Sequence, residues 1–88
     1  MPRYVIEREI PNAGNLSEEE LRESTLRSLQ VMRNLGIRWI HSYISDDKVY
    51  CIYEAPDEDI IRRHAELIGA PVNRISRVRH LVDPVNYA

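Results

Sequence analysis

Residues 39–56, WIHSYISDDKVYCIYEAP, constrain this chain more than any other stretch. Two runs rich in Ile, Val, Tyr and Trp flank Asp46-Asp47, the pattern of a β-hairpin closed by a tight polar turn. A two-residue loop fixes the register. Ser45 then faces Lys48, Tyr43 faces Tyr50, His41 faces Ile52 and Trp39 faces Glu54. Alternation sorts the side chains into two faces. Ile40, Ser42, Ile44, Val49, Cys51, Tyr53 and Ala55 form one, and they read as core. Trp39, His41, Tyr43, Tyr50, Ile52 and Glu54 form the other. Aromatics mixed with a histidine and a carboxylate are what a half-open binding face or an interface carries.

The rest of the chain supplies partners for this hairpin. Residues 3–10 alternate as a strand, with Tyr4, Ile6, Arg8 and Ile10 on one side and Val5, Glu7 and Glu9 on the other. Residues 11–15 have turn chemistry. Ser17 and Glu20 make a capping box, and Glu18, Glu19 and Glu20 complement the positive end of a helix. Leu21, Thr25, Leu29, Met32 and Leu35 give that helix its apolar stripe, and Gly36 its stop. Asp57 caps a second helix carrying Ile60, Ile61, His64, Ala65 and Ile68, ended by Gly69 and Pro71. Residues 72–82 predict a last strand with imperfect alternation, leaving room for a bulge. Asp83–Ala88 reads as a tail whose Tyr87 docks on a partner.

The resulting order is strand, helix, strand, strand, helix, strand in a single domain spanning 1–88. It predicts an α+β, ferredoxin-like βαββαβ sandwich: a four-stranded antiparallel sheet with two helices on one face. The other face is left uncovered. In so small a domain an uncovered aromatic face predicts a homodimer, with a pocket in or beside the interface.

Charge narrows the partners. Twelve basic against fourteen acidic residues give a net charge of −2, which argues against a general nucleic-acid binder. A lone cysteine cannot close an internal disulfide, and the amino-terminal residues lack an apolar signal core. No apolar run approaches the ~20 residues of a membrane span. The expectation is a cytoplasmic protein without a membrane or nucleic-acid partner.

Chemistry-bearing residues are few. If the apolar side of the first strand faces the helices, Glu7, Glu9, His41 and Glu54 share the open face. One imidazole with carboxylates and water suits a borderline divalent ion such as nickel, cobalt or zinc. The plain alternative is a packed histidine among solvated acids. A second alternative is an enzyme or small-molecule binder in which Trp39, Tyr43 and Tyr50 line a pocket and His41 is a general base. Arg74, Arg77 and Arg79, with His80, make the last strand basic, and they are expected to pair with Glu7, Glu9 and Glu54. His64 beside an apolar stripe reads as capping a core edge or bonding a carbonyl. Cys51 on the core face reads as a small hydrophobe. Pro2, if exposed as a terminal amine, would suit tautomerase chemistry with Arg3, Arg77 and Arg79. The adjacent antiparallel hairpin argues against that topology.

The run Trp39-x-His41-Ser42-Tyr43-x-x-Asp46-Asp47-Lys48-x-Tyr50-Cys51-x-Tyr53-x-Ala55-Pro56 resembles the small nickel-responsive, nickel-binding ferredoxin-like proteins of bacteria. The resemblance extends to Tyr4–Arg8, to Gly14-Asn15-Leu16-Ser17, to His64-Ala65 and to Pro71-x-Asn73-Arg74-Ile75-Ser76. It implies the same fold, a dimer, and binding of a divalent metal, nickel, in a buffering or sensing role without catalysis. The reading of the open face then makes His41 the principal ligand, with Glu7, Glu9 or Glu54 completing the shell.

Overall fold

The structure, a computed structural model, describes residues 1–87 in their backbone, with side-chain surroundings described through Asn86. Tyr87's expected docking and Ala88 therefore fall outside the described side chains. Six elements make the sandwich: β1 (Arg3–Glu9), α1 (Glu18–Leu35), β2 (Arg38–Ile44), β3 (Lys48–Glu54), α2 (Glu58–Ile68) and β4 (Arg74–Arg77). The sheet order is β2-β3-β1-β4, antiparallel throughout. This is the ferredoxin-like α+β fold that the element order predicts.

Local chemistry sets the boundaries. Ser17 Oγ accepts from Glu20 N at 3.1 Å and Glu20 Oε1 accepts from Ser17 N at 3.1 Å, completing the capping box. Asp57 Oδ1 accepts from Ile60 N at 2.9 Å at the start of α2. Gly36 ends α1 at φ 70°, a conformation that only glycine takes without strain. The hairpin tip has a less expected support. Neither Asp46 nor Asp47 has positive φ, so the turn lacks the twist that best suits a two-residue hairpin. It is held from outside instead. Ile10 N donates to Asp47 O at 2.9 Å, Gly14 N to Asp46 O at 3.0 Å, and Asn12 N to Asp47 Oδ1 at 3.0 Å. Gly14 approaches so closely that a Cβ there would lie 2.9 Å from Ser45 O and 3.0 Å from the Asp46 Cα.

The core lies between the sheet and the two helices. Tyr4, Ile6, Met32, Ile37, Cys51, Tyr53, Ala55 and Ile61 are its buried members. Arg8, Ser28 and His64 are buried with them. Cys51 is a free, buried thiol among these apolar neighbours.

Three expectations need correction. The hairpin register holds at Tyr43–Tyr50 and His41–Ile52, then slips: Trp39 pairs with Tyr53, and Arg38 with Glu54. A bulge inserts Ile40 as an extra residue, so Trp39 turns to the helix side and packs edge-on against Tyr53 at 6.0 Å. Second, the last strand is short. Only Arg74–Arg77 pair with β1, because Val78 N makes the final ladder bond, to Arg3 O at 2.8 Å. Residues 79–83 run on irregularly into a single helical turn, Pro84–Tyr87. Third, no arginine of β4 forms an ion pair with Glu7, Glu9 or Glu54 among the described residues.

Candidate functional site

The open face can be written as rows across the sheet. Arg38, Glu54 and Arg3 form one; His41, Ile52, Val5 and Ser76 the next; then Tyr43, Tyr50, Glu7 and Arg74; then Lys48 and Glu9. Glu7, Glu9, His41 and Glu54 thus share this face, with Tyr43 and Tyr50. Trp39 does not. The face stays open because the connections after β1 and after β3 are both helices, and both lie over Tyr4, Ile6, Cys51 and Tyr53 on the opposite side.

Sharing a face is not convergence. His41 and Glu7 stand two strands and one row apart, which strand spacing alone puts at roughly 12 Å between Cα atoms. Side chains rise nearly perpendicular to a sheet and do not lean together across such a gap. Among the described residues no group of three or more His, Cys, Asp or Glu is placed to hold a metal ion. Within one chain the described side chains do not bring such a ligand set together.

The four candidates also differ in availability. Glu54 is engaged: Arg3 donates to it at 3.2 Å and Arg38 at 3.1 Å. The Arg3 hydrogen bond, with the charges of Arg3 and Arg38, holds its carboxyl below the usual range. Among the described residues Glu7 and Glu9 form no ion pair, although Arg74 and Lys48 stand opposite them in register. His41 is exposed and its ring meets the edge of Tyr43 at 5.0 Å. No hydrogen bond to its imidazole occurs among the described side chains.

A groove of about 450 Å³ runs along the β2 edge between α1 and the sheet. Leu21, Thr25 and Leu29 form its helix wall, and Trp39, Ile40 and Ile44 its strand wall, with His41 at its rim. Trp39 is fixed there by its Nε1–H, which donates to Ser42 Oγ at 2.9 Å. Tyr43 and Tyr50 lie outside this groove, so the three aromatics do not line one pocket.

Sequence reasoning missed a second polar cluster, under the helices. Arg8 donates to Pro71 O at 2.7 Å and to Tyr53 Oη at 3.4 Å. Tyr53 meets His64 edge-on at 5.6 Å, and His64 Nε2 lies 2.8 Å from Ser28 Oγ. Burial, then the Arg8 charge, lowers His64 to a pKa of about 4 against the weaker opposing effect of Ser28. Burial pushes the Tyr53 phenol well up. His64 is thus wholly interior, bonded to a hydroxyl and not to a carbonyl at a core edge. Arg8 at a core-parity position of β1 was the available signal.

Comparison with known proteins follows the same lines. The family model for the nickel-responsive, SCO4226-like proteins matches residues 4–78. Among solved structures, the crystal structure of SCO4226 from Streptomyces coelicolor A3(2) superposes with a TM-score of 0.79. The two are 15% identical, over 91% of this chain and 99% of that one. No curated protein sequence matches. At that identity the superposition supports the fold alone.

Proposed function

The chain belongs to the family of nickel-responsive SCO4226-like proteins, and from that premise we propose that it binds nickel as a homodimer, to buffer or sense the metal. The observation that carries this reading is the state of the open face: an exposed histidine and two unpaired carboxylates on an uncovered surface. His41 is the principal ligand in this proposal. Glu7 and Glu9 are the carboxylates free to join it, while Glu54 is the least available because two arginines hold it. One chain does not complete the site, so the remaining ligands come from a second copy or from water. An imidazole with carboxylates suits a borderline divalent ion. The protein needs no catalytic group for this role.

The test is calorimetric titration of tag-free, metal-free protein with nickel, beside His41→Ala. Saturable binding that the variant loses, with circular dichroism unchanged, is the expected result. His41 is exposed, so its loss does not disturb the core. No saturable binding by an intact dimer overturns the metal reading and directs attention to small ligands at the Trp39 groove.

A further inference from the structure

The chain is more extended than its core requires. Its Cα radius of gyration is 13.6 Å, with a longest dimension of 39 Å; a compact domain of this length has a radius of roughly 12 Å. The segment after β4 is the least embedded part. Beyond Val78 the hydrogen bonds of the described residues are local. Asp83 Oδ1 accepts from Val85 N at 3.0 Å, and Asp83 O from Asn86 N at 2.9 Å. Leu81, Val82 and Val85 are 70%, 71% and 84% exposed, above every other large apolar side chain described. Three aliphatic groups within five residues, on a segment given shape by an Asp83 turn, are placed to meet a surface.

At the opposite edge of the sheet lies an apolar groove with nothing in it from its own chain's arm. We propose that residues 79–86 are an exchanged arm, which seats Leu81, Val82 and Val85 in the α1–β2 groove of a second copy. This rests on the two-copy reading of the open face.

Register and charge select the arrangement. A two-fold axis parallel to the strands, above the gap between β3 and β1, lays β1 over the second copy's β3, and β4 over its β2. Each cross-strand pair then becomes a pair between copies: Glu9 over Lys48, Arg3 over Glu54, Val5 over Ile52 and Glu7 over Tyr50. Opposite charges meet at Glu9 and Arg3, apolar meets apolar at Val5, and Glu7, over Tyr50, is the carboxylate left without a cation. An axis perpendicular to the strands instead sets β1, with its two carboxylates, against β1, and leaves each arm at the edge away from the groove. Aligned sheets pack with an offset of about 30°, which shifts the rows but keeps β4 beside the opposing β2.

Reach and volume agree. From Val78 to Asp83 the chain spans up to about 17 Å, and the Asp83 turn keeps Val85 within a helical turn of that point, enough to cross the ~10 Å between packed sheets and reach the β2 edge. The arm's own groove lies three strand spacings away, about 14 Å, at the far edge of the sheet. An apolar cavity of about 150 Å³ accommodates a benzene, so a groove of about 450 Å³ takes three aliphatic side chains. The groove reaches His41 at its rim, so a seated arm would border the proposed metal ligand.

Sedimentation equilibrium of the full chain, beside Leu81→Asp/Val82→Asp/Val85→Asp, is the first test. The triple variant removes exposed groups only and keeps the fold. The expected result is a dimer whose dissociation constant rises at least tenfold in the variant. The second variant pairs Thr25→Cys with Val82→Cys; mild oxidation is expected to give a covalent dimer, while buried Cys51 stays reduced. A dimer of unchanged affinity in the triple variant overturns the arm and leaves the two-copy face standing. A disulfide closed within one chain also overturns it. A wild-type chain that is monomeric up to submillimolar concentration, with and without nickel, overturns both.

Discussion

The two faces of the sheet handle polar groups in opposite ways. Under the helices, Arg8 is bonded to Pro71 and Tyr53, and His64 to Ser28. These groups are enclosed, and their hydrogen bonds go to structure. Among the described side chains, His64 Nδ1 is buried without a hydrogen-bond partner. On the open face Glu7, Glu9, Lys48 and Arg74 stand in register with opposite charges yet form no ion pair among the described residues. The covered face thus has its chemistry committed to the fold. The open face keeps its chemistry available, so it and not the surroundings of the more perturbed His64 can receive a ligand or a second copy.

The largest test of this contrast is Tyr53→Ala. Tyr53 is 2% exposed and touches Trp39, His64 and Arg8. Truncation removes a large buried ring, at a cost of about 3–5 kcal/mol, and strips the buried guanidinium of a partner. A small domain has only about 5–15 kcal/mol in hand, so urea denaturation should show the variant partly or wholly unfolded. Tyr53→Phe isolates the hydroxyl and should cost about 1 kcal/mol. If Tyr50→Ala on the open face matched Tyr53→Ala in dilute protein, the contrast would fail.

Acid provides a second test. His64 has a folded pKa of about 4 against an ordinary value of 6.5. The unfolded chain therefore binds more protons between these values, and stability rises with pH through that window. Falling from pH 6.5 to pH 4 should cost roughly 3 kcal/mol from this group. Arg8 and Tyr53, from β1 and β3, and Ser28, from α1, are the polar groups against it, and none is a carboxylate that could welcome the charge. His64→Gln should flatten the denaturation midpoint across the window. An equally steep wild-type and variant profile would assign the acid sensitivity elsewhere.

The fold was legible in the sequence because its signals are local. Ser17 with Glu20 and Asp57 with Ile60 each act within four residues. The open face was legible to the extent that alternation holds, and it fails at Ile40. A bulge leaves no mark in the 39–44 pattern, since Trp39 and Ile40 are both apolar and either can face the core. The placement of Trp39 depends on Tyr53 beneath it, fourteen residues away. The Arg8–Tyr53–His64–Ser28 cluster showed in the sequence only as Arg8 on the core parity of β1: four elements contribute to it, and only packing brings them together. The strand predicted over 72–82 was cut short by a shortage of partner. β1 offers positions 3–9, and the loop at Pro71–Asn73 uses its far end, with Asn73 Oδ1 accepting from Glu9 N at 2.7 Å.

The smallest effect is the one that most sharpens the contrast, because it depends on protein concentration. Tyr43 is 63% exposed, so in dilute protein Tyr43→Ser should change stability by no more than about 0.5 kcal/mol. If two copies meet across this face, association stabilises the folded chain by mass action. The wild-type midpoint should then climb with concentration, and Tyr43→Ser, which removes the ring standing over Arg74 of the second copy, should climb less. Urea melts of both proteins over a hundredfold range of concentration measure this directly. Tyr53→Phe is the control, since a defect beneath the helices shifts the midpoint equally at every concentration. Parallel curves for Tyr43→Ser and wild type would mean that Tyr43 lies outside any interface, and would confine the second copy's contact to the β1–β3 centre of the sheet.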